Sequence, residues 1–548
     1  MNNKKIVMGA SIGNCVHVAG VSHFLSIAEQ EGFHTIFLGP AVSIDRLFEN
    51  IRKYKPDYIG VSFRLTPENV KKLLDEIDER RKSLDYSPIW SFGGTKPVAK
   101  VAEKYDMFSF ISDGTDDIVD SIRFLRGEKV NGESESYGRT LKERIKSNYP
   151  YPLLRHHFGL PSIESTVEGI RKIAESKVLD VVSVGTDQNA QQYFFNQENM
   201  QKEFDGAGGV PVRTQDDLRA LKEASRCGNY PLMRCYSGTE DVFKYAEMLV
   251  NTIDNAWTAV PLSWYNEIDG RGTRTIEESI KDAQNLIKWH ADRGIPVEIN
   301  EPHHWGLRDA HDVISVVMAY VSAYNAKKFG AKDYIAQYMF NNPNGLSFSM
   351  DLAKILAMIE LVESLQDDDF TIYRETRAGL PLFNADQDVA RGQLAASTFM
   401  QMVVKPHIIH VVAYCEADHA ATPEEVIESC RIVKGVIRHT LSDQFSIEKD
   451  ERIVARKNEL ISEAKVLLNF IEEQFATYED PLGNAEVLAE CIKRGFIDAV
   501  HIVKNGKFRG NLATKFVDGK CVAYDKVTGE LLDEKVRLNK LLTLNKSK

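Results

Sequence analysis

The stretch "KIVMGASIGNCVHVAGVSHFLSIAEQEGF", residues 5–33, decides the first half of the fold. An apolar run ends in a glycine- and serine-containing loop, and an amphipathic segment follows, which reads as strand, loop and helix. A loop of this kind at the mouth of a parallel sheet ordinarily offers backbone N–H groups to a ligand. His17 in its middle adds an imidazole, a group suited to metal ligation or proton transfer.

The pattern repeats up to residue 127. Candidate strands "HTIFLGP", "YIGVSF", "IWSFGG" and "FSFISDG" alternate with helical segments such as "SIDRLFENIRKYK" and "PENVKKLLDEIDERRKSL". Alternation with crossovers of this length predicts a parallel sheet with helices on both faces. Five strands suit the flavodoxin-like order, in which ligands sit at the carboxyl ends of the strands beside the switch point. The expectation for 1–127 is therefore an α/β, doubly wound, flavodoxin-like domain.

Residues 128–150 are polar and charged and read as a linker or solvated connecting helix. From 151 to 440 eight apolar runs recur: "YPLLRHHF", "VLDVVSVGT", "YPLMRCYS", "AWTAVPLSW", "PVEINEP", "DYIAQYMF", "FTIYRET" and "HIIHVVAY". Eight strand–helix units predict a (β/α)8 TIM barrel. Residues 441–548 read as a smaller C-terminal α+β region, opening with a long charged helix and holding a hairpin at "KFVDGKCVAYDKVTGELL".

Composition narrows the function classes. The 548 residues include 43% hydrophobic and 27% charged residues, and the net charge is −11. That acidity argues against nucleic acid or an anionic membrane as the main partner. No apolar run is long enough to span a bilayer, and the N-terminus lacks a signal peptide's apolar core. Seven cysteines without a CxxC pair predict reduced thiols and cytoplasmic residence.

Function in a TIM barrel collects at the strand ends. There the sequence offers Arg155, Arg234 and Tyr236, then Trp264, Tyr265 and Asn266, then Glu301, His303 and His304. Arg374, Glu375, Arg377, Tyr414, Glu416 and Asp418 complete the rim. Such a ring suits a small polar substrate, with arginine clamping a carboxylate. The alternative is rim solvation, with Arg374 and Glu375 satisfying each other. Adjacent His303 and His304 on an extended chain would point to opposite sides, so no metal site is expected there.

A histidine in the first loop of a flavodoxin-like domain, next to a barrel, resembles the cobalamin-dependent mutases. Their D-x-H-x-x-G loop corresponds here to Cys15, Val16, His17, Val18, Ala19 and Gly20. Their Ser-x-Leu after strand three is Ser62, Phe63 and Arg64, and their Gly-Gly after strand four is Gly93 and Gly94, followed by Thr95. The resemblance implies that His17 ligates the cobalt from below and that the other residues line the path of the cofactor tail. Cys15 replaces the carboxylate that would support the imidazole, with Asn14 as a possible substitute, and Arg64 brings a cation near the tail.

"NAWTAVPLSWYNEIDGRGTRTIEESI", "INEPHHWG" and "IIHVVAYCEADHAATPEE" narrow the resemblance to glutamate mutase (methylaspartate mutase). The chain is similar to that enzyme's cobalamin-binding small subunit fused ahead of its large subunit. The resemblance implies adenosylcobalamin as cofactor, a radical carbon-skeleton rearrangement, and a homodimer. Of the substrate residues, Arg155 and Arg234 (or Tyr236) match two of three arginines, Tyr265 and Asn266 match a "YN" pair, and Asp418 matches a ribose-binding acid. The second arginine and an amine-binding glutamate have no counterpart, so the expected substrate is a small amino or carboxylic acid other than glutamate. Arg271 and Arg274 are candidate replacements. The alternatives are a corrinoid methyltransferase and a non-catalytic cobalamin-binding protein.

Overall fold

The computed structural model describes residues 4–114, 116, 118–128, 137–236, 238, 240–442, 446–502 and 512–546. They form two units, Met1–Ser136 and Tyr137–Lys548, each described here by itself.

In the first unit, β1 (Ile6–Ser11), β2 (His34–Phe37), β3 (Tyr58–Phe63), β4 (Ile89–Gly94) and β5 (Phe108–Ser112) form one parallel sheet in the order β2-β1-β3-β4-β5. This is the flavodoxin-like order, and every residue of β3, the central strand, is buried. Side-chain-free positions let a helix lie directly on the sheet: a Cβ on Gly9 would come within 2.8 Å of Leu25 and Val21, and one on Gly60 within 2.9 Å of Phe24. All three contacts come from the helix Ala19–Gln30, which follows the His17 loop. Ser43 caps the next helix, Ile44–Tyr54, by accepting from Arg46 N, a role its short hydroxyl fits.

The second unit carries β6 (Leu153–Phe158), β7 (Val181–Val184), β8 (Leu232–Cys235), β9 (Thr258–Val260), β10 (Val297–Ile299), β11 (Asp333–Phe340), β12 (Thr371–Ala378) and β13 (Ile408–His410). All ladder pairs are parallel, in the order β8-β7-β6-β13-β12-β11-β10-β9. First and last strands therefore pair, with Leu153 opposite Ile408. The remaining seam is bridged by Ala256 N donating to Met233 O at 2.9 Å, so the barrel is nearly closed. Seven of these strands lie within one of the eight apolar runs, and β12 continues two residues past "FTIYRET", to Ala378.

Residues 137–150, expected within the linker, belong to this unit. The helix Leu141–Asn148 opens with a Thr140–Glu143 capping box and buries Leu141, Arg144 and Ile145. Arg144 donates to Asn229 O and Tyr230 O at the foot of the barrel, and that anchoring explains why a charged stretch is not a solvated tether. Residues 129–136 lie outside the described residues.

The charged helix Glu451–Gln474 packs on the barrel helices Asp312–Lys328 and Phe348–Glu363. Leu460, Ala464, Leu467 and Ile471 form its fully buried stripe at helical spacing. Each buried leucine contributes about 1.5–3 kcal/mol. Arg456, on the same helix, pairs with buried Asp312 at 2.8 Å. The expected hairpin is present, with Thr514–Val517 antiparallel to Lys520–Ala523. All seven cysteines are free thiols. Among the described residues no helix is long and apolar enough to cross a membrane.

Candidate functional site

In the first unit the candidate residues gather at the carboxyl ends of β1, β3 and β4. The loop after β1 is fastened at Cys15, whose carbonyl accepts from Ser11 Oγ at 2.8 Å and from Ala41 N at 2.9 Å. Cys15 is fully buried, and its Sγ lies 3.8 Å from His17 Nδ1. His17 itself is exposed. Because the thiol takes Nδ1, Nε2 is the nitrogen presented for ligation; it makes no hydrogen bond among the described residues. Asn14 is exposed and makes no hydrogen bond to the imidazole, so the thiol is the group beside the ring.

Two observations test whether a corrinoid fits here. Ser62 Oγ, at the end of β3, is buried and has no hydrogen-bond partner among the described residues. A buried hydroxyl without a partner costs about 1–3 kcal/mol, so the position is costly unless a ligand completes it. The glycines divide by cause. A Cβ on Gly94 would meet Phe63 O at 2.9 Å, so packing alone requires glycine there. At Gly20 nothing lies within 4 Å of that position, and at Gly93 only Ser62 Cβ does, at 4.0 Å. At these two the chain's own packing does not demand glycine. Thr95 makes no side-chain capping bond to the helix it precedes, and Arg64 is exposed. The residues present fit the group.

In the second unit the expected arginine claws lie deeper than the rim. Strand side chains alternate, so Arg155 on β6 and Arg234 on β8 point into the barrel. Arg155 donates to Glu375 Oε1 through Nε (2.9 Å) and Nη2 (2.5 Å). Arg234 Nη2 donates to Glu298 Oε2 at 3.0 Å, and Trp257 Nε1 donates to the same oxygen. Gln337 bridges Glu298 and Glu375. All four charged side chains are fully buried. Burial works against the Arg155 charge, and Glu375 and Glu298 more than offset it; burial also pushes the Glu375 carboxyl up. Two cations and two anions thus neutralise each other inside the barrel. Arg374 pairs with Glu363 at 2.5 Å, because adjacent strand residues face opposite sides and Arg374 cannot reach Glu375.

Several other rim candidates have structural partners. Glu301 accepts from Ser263 N, Ser263 Oγ and Trp305 Nε1, and burial raises its carboxyl. Asn266 donates to Ser263 O and accepts from Ile268 N. Tyr265 lies under the Arg271 guanidinium at 4.1 Å, and burial pushes its hydroxyl up to about 12. Arg271 pairs with Asp269, and Arg274 with Asp282. Asp418 is exposed on His419 Nδ1. Cys415, His419 and Glu425 bring possible ligand atoms within 4.8 Å of one another. Glu425 also caps Thr422, which accounts for its placement.

His303 and His304 are not on an extended chain. They sit in the short helix Glu301–Gly306, both buried, with ring centroids 4.4 Å apart. The sequence reading also passed over His157 and His410, whose rings stack at 4.7 Å. Tyr236 Oη lies 3.2 Å from His157 Nε2. Burial, then the nearby arginines, pushes His157, His303 and His410 far below the ordinary imidazole value, so all three are neutral at pH 7. The signal for His157 was available: two residues past Arg155, it shares the inward face.

Residues 5–114 match the family described as B12 binding domain. Among solved structures, the chain is similar to a cobalamin-binding protein from Desulfitobacterium hafniense DCB-2 at 18% identity and a TM-score of 0.19, over 22% of this chain and 57% of that one. A rubisco-like protein (MtnW) from Alicyclobacillus acidocaldarius matches at 13% identity and 0.34, over 60% and 74%. The radical S-adenosylmethionine methyltransferase TsrM from Kitasatospora setae matches at 13% and 0.18, over 73% and 72%. All three scores are low, so the functional reading rests on the domain match and the residues themselves.

Proposed function

Starting from an N-terminal B12-binding domain, we propose that this chain is an adenosylcobalamin-dependent radical mutase acting on a small amino or carboxylic acid in its barrel. The observation that carries the corrinoid part is the strand-end set in which Ser62 Oγ is buried without a partner among the described residues. His17 Nε2 is the proposed cobalt ligand, with Gly20, Ser62, Gly93 and Thr95 along the tail and Arg64 beside it. When bound, adenosylcobalamin supplies a cobalt–carbon bond that breaks homolytically and so gives access to radical chemistry.

The chain's own residues have three tasks. Cys15 holds the imidazole by Nδ1, which fixes the nitrogen offered to the metal. The Arg155–Glu375 and Arg234–Glu298 pairs close the barrel floor with fixed, mutually cancelling charges, which leaves the rim to recognise the substrate. The buried rings of Trp264 and Trp305 keep water from the rim. A cytoplasmic homodimer is the setting this reading carries with it.

A second reading, corrinoid binding without rearrangement, draws on Asn266, Glu301 and Asp418, all engaged within the chain. The deciding experiment is an EPR spectrum of the protein loaded with cob(II)alamin, prepared with 15N-labelled histidine. Superhyperfine splitting that changes with the label and vanishes in His17→Ala supports histidine-on binding. Splitting insensitive to the label overturns it. A substrate-dependent radical signal with adenosylcobalamin then separates mutase from binder.

A further inference from the structure

Arg377 lies two residues beyond Glu375 on β12, so it shares the inward face one layer nearer the mouth. The arginines of the layer below each have a glutamate, and Arg377 has none. Its Nε donates to Ala378 O at 3.3 Å, and no carboxylate lies within 4.0 Å of it among the described residues. The carboxylates nearest to it in effect are committed elsewhere. Glu375 takes Arg155 and Gln337, and Glu416 Oε1 takes Ala413 N at 2.6 Å.

Neutral imidazoles adjoin it. His410 stands in register with Arg377 on the adjoining strand and stacks on His157. His303 and His410 are more than nine-tenths buried, and Nδ1 of each has no hydrogen-bond partner among the described residues. A largely enclosed guanidinium with no counter-ion, next to buried imidazole nitrogens with unmet hydrogen bonds, is an arrangement that an incoming anion completes.

We propose that Arg377 anchors a carboxylate of the substrate at the barrel mouth, with His410 and His303 as neutral hydrogen-bonding partners. The inference rests on the substrate reading above and sharpens it. Arg155 and Arg234 are neutralised below, and Arg377 offers its guanidinium above them; Arg308, bonded to His304 O, likewise has no carboxylate within 4.0 Å among the described residues.

The test uses the full chain without cobalamin, and so stands apart from the corrinoid reading. Tryptophan fluorescence is titrated with butyrate, glutarate, butyramide and inorganic phosphate. Butyrate is expected to bind on the order of 10- to 100-fold more tightly than butyramide, a difference lost in Arg377→Gln and partly kept in Arg377→Lys. Cob(II)alamin binding by absorbance is expected to be equal in all three proteins. Unchanged butyrate affinity in both variants overturns the proposal, as does tighter binding of phosphate than of butyrate. Butyrate binding that depends on Arg377 in a protein that takes up no cobalamin would keep this site and discard the mutase.

Discussion

Cys15 Sγ approaches His17 Nδ1 at 3.8 Å, so a buried thiol stands behind the one exposed imidazole of the first loop. A thiol is a weak hydrogen-bonding partner, whereas a carboxylate there would orient the ring and raise its basicity. Cys15→Asp is expected to tighten cobalamin binding by about 10-fold, the scale of such supporting contacts. Absorbance titration measures it, and an unchanged affinity would show that the thiol already suffices.

Ser62→Ala is expected to move stability and binding in opposite directions. Removing an unpartnered buried hydroxyl should stabilise the ligand-free protein by about 1 kcal/mol, read as a higher urea midpoint. Corrinoid affinity should fall several-fold, because the hydroxyl's intended partner is lost. A destabilised ligand-free variant would mean that Ser62 has a partner within the fold.

Glu298→Gln preserves shape and an acceptor for Trp257 Nε1 but leaves two buried arginines sharing one carboxylate. The expected loss is about 3–5 kcal/mol. Adding Arg234→Met to that variant should recover part of it, since the unpaired charge goes. Strict additivity in urea denaturation would refute the coupling.

Stability is expected to decline as pH falls from 6.5 towards 4. Burial lowers His290 and His407 to about 4, while the unfolded chain titrates near 6.5. Between those values the unfolded state binds more protons, so each imidazole destabilises the fold by about 1.4 kcal/mol per pH unit. The Glu534 carboxyl, held near 2 by Arg537 and His311 against the effect of burial, withdraws its contribution only below about 4.5. His290→Gln with His407→Gln should lessen the slope of melting temperature against pH above 4.5 and leave the acid limb, the rest of the slope being carried by buried His157, His303 and His410.

The strands were legible because parallel, two-sided burial writes continuous apolar runs such as "YIGVSF" and "DYIAQYMF". Extents were less so: β9 is only Thr258–Val260 inside a nine-residue run, since the chain turns to carry Trp264 and Tyr265 to the rim. Partners were not legible. Arg155 finds Glu375 across 220 residues, and nothing local distinguishes that glutamate from Glu416. Strand alternation alone would have set Arg374 apart from Glu375 and placed Arg377 beside the latter. The short helix holding His303 and His304 begins at Glu301-Pro302, a start that the extended reading missed.

The Arg155–Glu375 pair also has a consequence for how the molecule is made. At about 5–20 residues per second, a ribosome takes roughly 10 to 45 seconds to deliver the partner after the first barrel strand is complete. For that interval β6 presents an unpaired edge and a buried-type arginine without its anion, while the B12-binding unit ahead of it is already whole. The nascent barrel is therefore open to aggregation and to holdase chaperones during synthesis, and slowing translation would lengthen exactly that exposure.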